Sequence, residues 1–490
     1  MNRVISGLLI VIVLSACSTS PFPKITKMRS LSAPIVVSES ADVSGNIAGL
    51  ERSSTGRDGK IQANVLVVHG MGWSQQEKPD EVGFDLVKAI EAAYGAHGAA
   101  RQYTHLCPRS KSDGSTDKRP VAGGLTITSN GTSLQTDSPL TSLNNKAVAC
   151  LDKVVIDLGA KGTVNVYRLF WDDHFYNGYE YAHLGYDDGI LLGQEATSPS
   201  HRGYENIHAQ RASLNARLKT SLVTYGFSDA TMYLGPVGER LRTAIAGGVC
   251  AVVNDLTGQA RYFEPMHTAG PVGRSGNRAF TSTELCAVRG TAVPQPLTII
   301  TKSLGSRVLF DILTSERTPA LASKLDLISN DELEVFMFAN QIPLLGVGRL
   351  AQPKNKAAPW AKKLKFIAVS EINDVLTYEL VPYFEHLYYL RCNREIAAVM
   401  DAKDKCTVEN FAGRMDTLRT NVSARQTYIQ ELGFEVIDVR AKFAANVVPL
   451  IPFAHPLVAH GGHLGAKPVR DLFLCGADGG VLRTASCAAR

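Results

Sequence analysis

The stretch that decides the fold is Ile299-Ile300-Thr301-Lys302-Ser303-Leu304-Gly305-Ser306-Arg307-Val308-Leu309-Phe310. A short β-branched apolar run meets a serine, a glycine follows two positions later, and the next residues carry helical spacing. Strand, sharp turn and helix in that order lift a serine hydroxyl clear of a sheet edge and aim a helix N-terminus at it. The turn needs small residues on both sides of the serine. Gly305 supplies one, but Thr301 stands where a second glycine is usual. Serine before glycine at such a turn is common, so other segments must decide whether the hydroxyl does chemistry.

Working outward, the chain alternates between apolar strands and helical or loop segments. Ala63-Asn64-Val65-Leu66-Val67-Val68 is a continuous apolar strand that runs into His69-Gly70-Met71-Gly72-Trp73. Such unbroken runs suit a parallel sheet buried on both faces. Thr163 to Trp171, Leu333 to Asn340, Lys363 to Val369 and Phe434 to Arg440 read as further strands, and residues 81–95 as a helix. Strands separated by helices predict a mostly parallel α/β sheet with helices on both faces. Residues 108–146, dominated by Ser, Thr, Gly, Asp and Asn, read as a surface loop. Residues 172–290 hold an aromatic, acidic stretch from Asp172 through Tyr186, followed by helical patterns near 207–224 and 236–253. This region reads as a large insertion, or cap, ahead of the serine strand. The aromatics read as ordinary packing sooner than as substrate-facing groups.

At the N-terminus, Asn2-Arg3 gives a short positive region and Val4 to Leu14 an apolar run too short for a stable membrane span. It closes with Leu14-Ser15-Ala16-Cys17, which resembles the lipobox of bacterial lipoprotein signal peptides. The resemblance implies cleavage before Cys17, diacylglycerol on its sulfur and an acylated new amine. Ser18 in place of an aspartate implies the outer membrane of a Gram-negative cell, facing the periplasm. Residues 1–16 are then a signal peptide, and residues 17–60, rich in Ser, Thr and Pro, a flexible tether. Residues 61–490 form the folded domain.

Composition is that of a globular chain, with 45% hydrophobic and 20% charged residues. A net charge of +5 spread over 490 residues is mild; it suits anionic lipid head groups and argues against nucleic acid, which needs clustered Lys and Arg. Of nine cysteines, eight remain once Cys17 is set aside. An even number in an exported chain suggests disulfides, and sequential pairing is the simplest scheme: Cys107–Cys150, Cys250–Cys286, Cys392–Cys406 and Cys475–Cys487. Loops of these lengths contribute roughly 3–4 kcal/mol each in the chain-entropy model. A zinc site would want C-x-x-C pairs, and none exists.

Two strand ends carry polar clusters. Ser370-Glu371-Ile372-Asn373-Asp374-Val375-Leu376-Thr377-Tyr378 follows one strand, and His455-Pro456-Leu457-Val458-Ala459-His460-Gly461-Gly462-His463 follows the last. With the glycine-rich turn and the serine, the chain order becomes turn, serine, acid, histidine. This order resembles the α/β-hydrolase fold over roughly residues 61–480. There the acid follows the second strand after the nucleophile strand and the histidine follows the third. The resemblance implies Ser303 as nucleophile, His460 as its base and Asp374 as the group that orients the imidazole. It also implies an oxyanion hole from the backbone N–H groups of Met71 and Leu304. His463 is the competing base. His69 reads as a structural partner of the oxyanion turn, and three histidines without H-E-x-x-H spacing argue weakly for a metal. The expectation is a serine hydrolase acting on a small or lipid-like carboxylic ester, without metal or cofactor. An acyltransferase with the same triad, or a non-catalytic envelope lipoprotein of this fold, remains open.

Overall fold

The computed structural model describes residues 19–30, 46–54, 59–70, 84–94, 101–104, 125–128, 147–171, 227–235, 237–258, 279–287, 296–314, 332–347, 364–384, 433–448, 451–454, 456–478 and 481–482, with a few single positions between them. Eleven strands form one sheet: β1 (Thr19–Ser30), β2 (Ile61–Val68), β3 (Arg101–Thr104), β4 (Leu125–Thr128), β5 (Ala147–Asp157), β6 (Gly162–Phe170), β7 (Ala279–Thr281), β8 (Thr298–Lys302), β9 (Leu333–Phe338), β10 (Leu364–Glu371) and β11 (Glu435–Ala444). Their spatial order is β1-β11-β10-β9-β8-β2-β6-β5-β4-β7, with β3 also paired to β5. From β6 through β2, β8, β9 and β10 to β11 every neighbouring pair is parallel. β5 against β6 and β1 against β11 are antiparallel. This is the mostly parallel α/β sheet that the continuous apolar strands required.

The sheet is buried on both faces because alternate residues of each strand enter different cores. Leu66 and Val68 of β2, Ile299 of β8 and Phe366 of β10 join the core that also holds helices α4 (Val237–Leu256) and α6 (Leu304–Leu313). Val65 and Val67, Ile300 and Ile367 point into the other, with helices α2 (Phe84–Tyr94) and α9 (Lys467–Cys475). The period of two along each strand produces the two layers. In α6, Val308, Leu309, Phe310, Ile312 and Leu313 are all buried, each worth roughly 1.5–3 kcal/mol against exposure. Phe310 packs on Phe366 at 5.2 Å and edge-on to Phe434 at 5.7 Å between ring centroids, fixing the helix over β10.

Two expectations change. Thr19–Ser30, read as part of a flexible tether, is an edge strand on β11, and Gly49–Ser54 (α1) is a short helix. Beside that helix, Ala48 and Gly49 donate their N–H groups to the buried Glu334 carboxylate. Pro21 and Pro23 fall inside a register shift between Thr19 and Lys24, where an edge strand tolerates the missing donors. In the region expected as an insertion or cap over the sheet, the described helices belong to the core. α4 is a core helix that covers the sheet, and Leu241, Ile245, Val249, Val252 and Val253 are fully or almost fully buried. Gly247 and Gly248 cost helix propensity but permit close approach. A Cβ at Gly248 would come 2.7 Å from Leu169 Cδ1, and one at Gly247 would come 2.9 Å from Ser282 Oγ.

A disulfide joins Cys250 of α4 to Cys286 on the helix Ser282–Ala287 (α5), one of the expected pairs. Cys150 and Cys475 are disulfide-bonded as well. Cys107, Cys487, Cys392 and Cys406 lie outside the described residues, as does the aromatic stretch from Asp172 to Tyr186; of the expected loop at 108–146 only Leu125–Thr128 is described, and it is strand β4 rather than loop.

Candidate active site

After β2 the chain places β3 to β6 on one flank of that strand, with β6 beside it, and β8 then returns to its other flank. Such a reversal opens a crevice at the C-terminal ends of the two strands that flank it. His69-Gly70 follows β2 there, and Ser303 follows β8.

Ser303 has φ 53° and ψ −127°, a strained backbone for a residue with a side chain. Its N–H donates to the Phe338 carbonyl at 2.9 Å, and the Ser306 N–H donates to the Ser303 carbonyl at 3.0 Å. Those bonds hold the turn between β9 and the first turn of α6. The glycines are explained by contact. A Cβ on Gly305 would lie 2.2 Å from the His69 carbonyl oxygen, and one on Gly70 would lie 2.6 Å from Ser303 Cβ. Thr301, the departure from the usual glycine, is fully buried and bonded through its hydroxyl to Ser306 Oγ at 2.8 Å. The extra atoms that glycine would lack are accommodated by a small hydroxyl residue at 306.

His460 lies on the short helix Pro456–Gly461 (α8) and bridges the two other expected residues. Its Nε2 is 2.9 Å from Ser303 Oγ, and its Nδ1 is 2.8 Å from Asp374 Oδ2. With Asp374 ionised, Nδ1–H donates to the carboxylate and the Nε2 lone pair receives the serine proton. Asp374 Oδ1 accepts the Leu376 N–H at 3.0 Å, and Oδ2 also accepts the Thr377 hydroxyl. Burial alone would raise the Asp374 pKa. The hydrogen bond and charge of His460, helped by Thr377 and Leu376, outweigh it and leave the carboxyl below its ordinary range.

The acid turn has its own brace, which the sequence did not single out. The buried Glu371 carboxylate accepts N–H groups from Asn373 and, at 3.2 and 3.3 Å, from Phe443 and Ala444 of β11. Its carbonyl accepts the Asp374 N–H at 3.1 Å. Glu371 closes β10 and Thr377 follows it in the same polar cluster, and that clustering was their only signal.

The two competing histidines part company. His463 is buried between Phe338, stacked at 5.5 Å, and Phe443, edge-on at 5.0 Å. Burial, then the nearby charges of Lys302 and His460, push its pKa down to about 3. His463 is therefore neutral when folded, whereas in the unfolded chain it binds a proton below about 6.5. Its contribution to stability is complete above about pH 6.5 and is lost as pH falls towards 3. The His463→Leu protein is expected to lose less melting temperature between pH 7 and pH 4 than the parent. It should keep an accessible nucleophile at Ser303; a folded variant with an inert serine would mean that His463 is the base.

His69 is bonded at both ring nitrogens. The Trp171 N–H donates to Nε2 at 3.2 Å, which leaves the proton on Nδ1 to donate to the Gly70 carbonyl at 2.7 Å. The ring stacks on Trp171 at 5.0 Å, and Trp171 Nε1–H bonds the His69 carbonyl. A histidine so engaged holds the turn after β2 and has no free nitrogen for catalysis. Leu304, the first residue of α6, has an N–H with no acceptor within its own helix, as every helix start does. Met71, the other expected oxyanion donor, lies outside the described residues, as do Cys17 and His455.

Chemically, the arrangement holds a serine hydroxyl against an imidazole that is oriented by a buried carboxylate, at the positive end of a buried helix. No family model, no curated protein and no solved structure matches this chain.

Proposed function

We propose that this chain is a lipid-anchored serine hydrolase of the α/β-hydrolase type that cleaves carboxylic esters through an acyl-enzyme intermediate. The observation that carries the proposal is His460, hydrogen-bonded at once to Ser303 Oγ and Asp374 Oδ2 across 157 and 86 residues of sequence. Strand order supports it: the acid follows β10, the second strand after the serine strand, and the histidine follows β11, the third. The strained φ at Ser303 is a second support, since such strain persists where a function requires the geometry.

In the proposed reaction Ser303 Oγ attacks the ester carbonyl carbon while its proton passes to His460 Nε2. The oxyanion forms opposite the N–H of Leu304, with Met71 as the second donor that the hydrolase resemblance implies, and Asp374 stabilises the imidazolium. Collapse breaks the bond to the alcohol, which takes the proton from His460. Water then attacks the acyl-serine by the same route, releasing the acid and restoring Ser303.

Labelling with a fluorophosphonate probe tests the reading. A covalent adduct on Ser303 supports it, and an unreactive serine in the folded protein overturns it in favour of a non-catalytic envelope protein. Transfer of the acyl group to an added alcohol in preference to water would make the enzyme an acyltransferase.

The anchor is a separate proposal, resting on Leu14-Ser15-Ala16-Cys17: lipid on Cys17, with the protein held at the outer membrane and facing the periplasm. Several acyl chains, at roughly 0.8 kcal/mol per buried methylene, make release negligible. The Cys17→Ser chain is expected to escape processing and to lack the mass of diacylglycerol. An unchanged mature mass would remove the anchor from the proposal.

A further inference from the structure

The edge strand β1 runs antiparallel to β11, so its first residue meets the last residue of β11: Thr19 is the partner of Ala444. The parallel strands end on that side, and Ser303, Asp374 and His460 all follow strand ends there. Cys17 precedes Thr19 by two residues, a reach of about 7 Å along an extended chain. The chain therefore comes off the sheet at its catalytic end.

Two further features lie at the same end. The turn after β10 exposes Ile372 (44%), Val375 (72%) and Tyr378 (49%), three large apolar residues within seven positions. The Ile372 N–H donates to the Ala441 carbonyl at 3.0 Å, which sets this turn beside the final residues of β11. Close by, Lys24 and Lys442 are cross-strand partners and both are exposed. Like charges directly opposite one another on a strand pair repel, and an anion near both relieves the repulsion. Apolar side chains rimmed by lysines match the boundary between acyl chains and anionic head groups.

We propose that the catalytic end of the sheet docks on an anionic phospholipid bilayer, with Ile372, Val375 and Tyr378 entering the interface and Lys24 and Lys442 on the head groups. The proposal rests on the reading of Cys17 as the membrane attachment point. It turns the serine site towards the leaflet that holds the anchor, so the ester it meets first is one presented at the lipid surface.

The test places the full chain in phosphatidylglycerol vesicles whose acyl chains are brominated, a short-range quencher of tryptophan. A tryptophan is added at Val375 (Val375→Trp) or at Ala160 (Ala160→Trp), and the parent's emission is subtracted. Ala160 is exposed in the turn before β6, at the opposite end of the sheet. Loss of most of the added emission at 375, with none at 160, is expected. Adding Lys24→Glu and Lys442→Glu to the Val375→Trp chain should restore emission, as should brominated phosphatidylcholine at high salt. Equal quenching at both positions, or none at 375, overturns the proposal. The readout needs no catalysis, so Ser303→Ala protein should behave like the parent even if the hydrolase reading fails. The mass of the N-terminal peptide decides the lipidation reading separately.

Discussion

Ser303→Ala is expected to abolish fluorophosphonate labelling and to lower ester turnover by several orders of magnitude. What remains should be at most about 10³–10⁴-fold over water, from binding and the oxyanion donors. His460→Ala should fall to nearly the same floor, because Nε2 is the only ring nitrogen bonded to the serine hydroxyl among the described residues. The double variant should be no worse than either single one, since the two residues act as one unit. Asp374→Asn should be severe but less complete. It leaves nucleophile and base in place and removes the charge that fixes the Nδ1–H tautomer. Turnover by the three variants, each checked for a parental melting temperature, is the measurement. Full activity in Ser303→Ala would end the proposed mechanism, and a Ser303→Ala/His460→Ala protein far below both singles would mean that the two residues act separately.

The second large effect is expected from one methyl group. In Gly305→Ala the new Cβ would meet the carbonyl oxygens of His69 at 2.2 Å and Val68 at 2.8 Å. Both belong to backbone at the end of the central strand β2, so neither can swing aside as a flexible side chain would. Either α6 retreats from β2 or the turn after β2 opens. A destabilisation of roughly 1–3 kcal/mol, as for other overpacked cores, is the expected thermal signature. A shift of about 1 Å at Ser303 should slow labelling by about 10²-fold beyond that. Gly159→Asn is the control: it also has positive φ, but no atom lies within 4 Å of its missing Cβ, and asparagine tolerates that conformation. Its stability should change by only a few tenths of a kcal/mol. Parental labelling and melting in Gly305→Ala would show that close approach at this glycine is dispensable.

Both predictions draw on a site that was largely readable in one dimension. Ser303, Asp374 and His460 each follow a strand whose apolar run is unmistakable, and their order along the chain is the one that the hydrolase resemblance implies. A parallel sheet converts that order into proximity, because every strand delivers its following residue to the same end. The choice between His460 and His463 was not readable. The two are three residues apart, and only packing sends one ring to the serine and the other between Phe338 and Phe443. Thr301 was ambiguous for a similar reason: its hydroxyl is accommodated by Ser306, which lies on the following helix.

The misreadings share a cause. β1 carries two prolines and two lysines, a composition that suits a tether or an edge strand alike, and its partner β11 lies some 400 positions away in sequence. α4 has clear helical periodicity, but periodicity does not say whether an apolar face covers the sheet or a pocket. Gly247 and Gly248, unfavourable within an isolated helix, make sense only against Ser282 and Leu169. β5 was missed altogether: Ala147 to Asp157 mixes Asp152 and Lys153 into an apolar run, and burial of Asp152 is matched by Arg168 across the strand pair at 2.8 Å.

The sequence by itself determined the runs of the central parallel strands β2, β6, β8, β9, β10 and β11, their alternation with helices, and the residue types that a strand-end triad requires. Those are local properties, set by side-chain period and turn chemistry within about a dozen residues. Only the tertiary structure decided which histidine meets the serine, how Glu371 and Thr377 hold the acid, and at which end of the sheet β1 begins. Each of these depends on a contact between residues brought together by strand pairing and packing, and short-range pattern carries no information about such a contact until the sheet has formed.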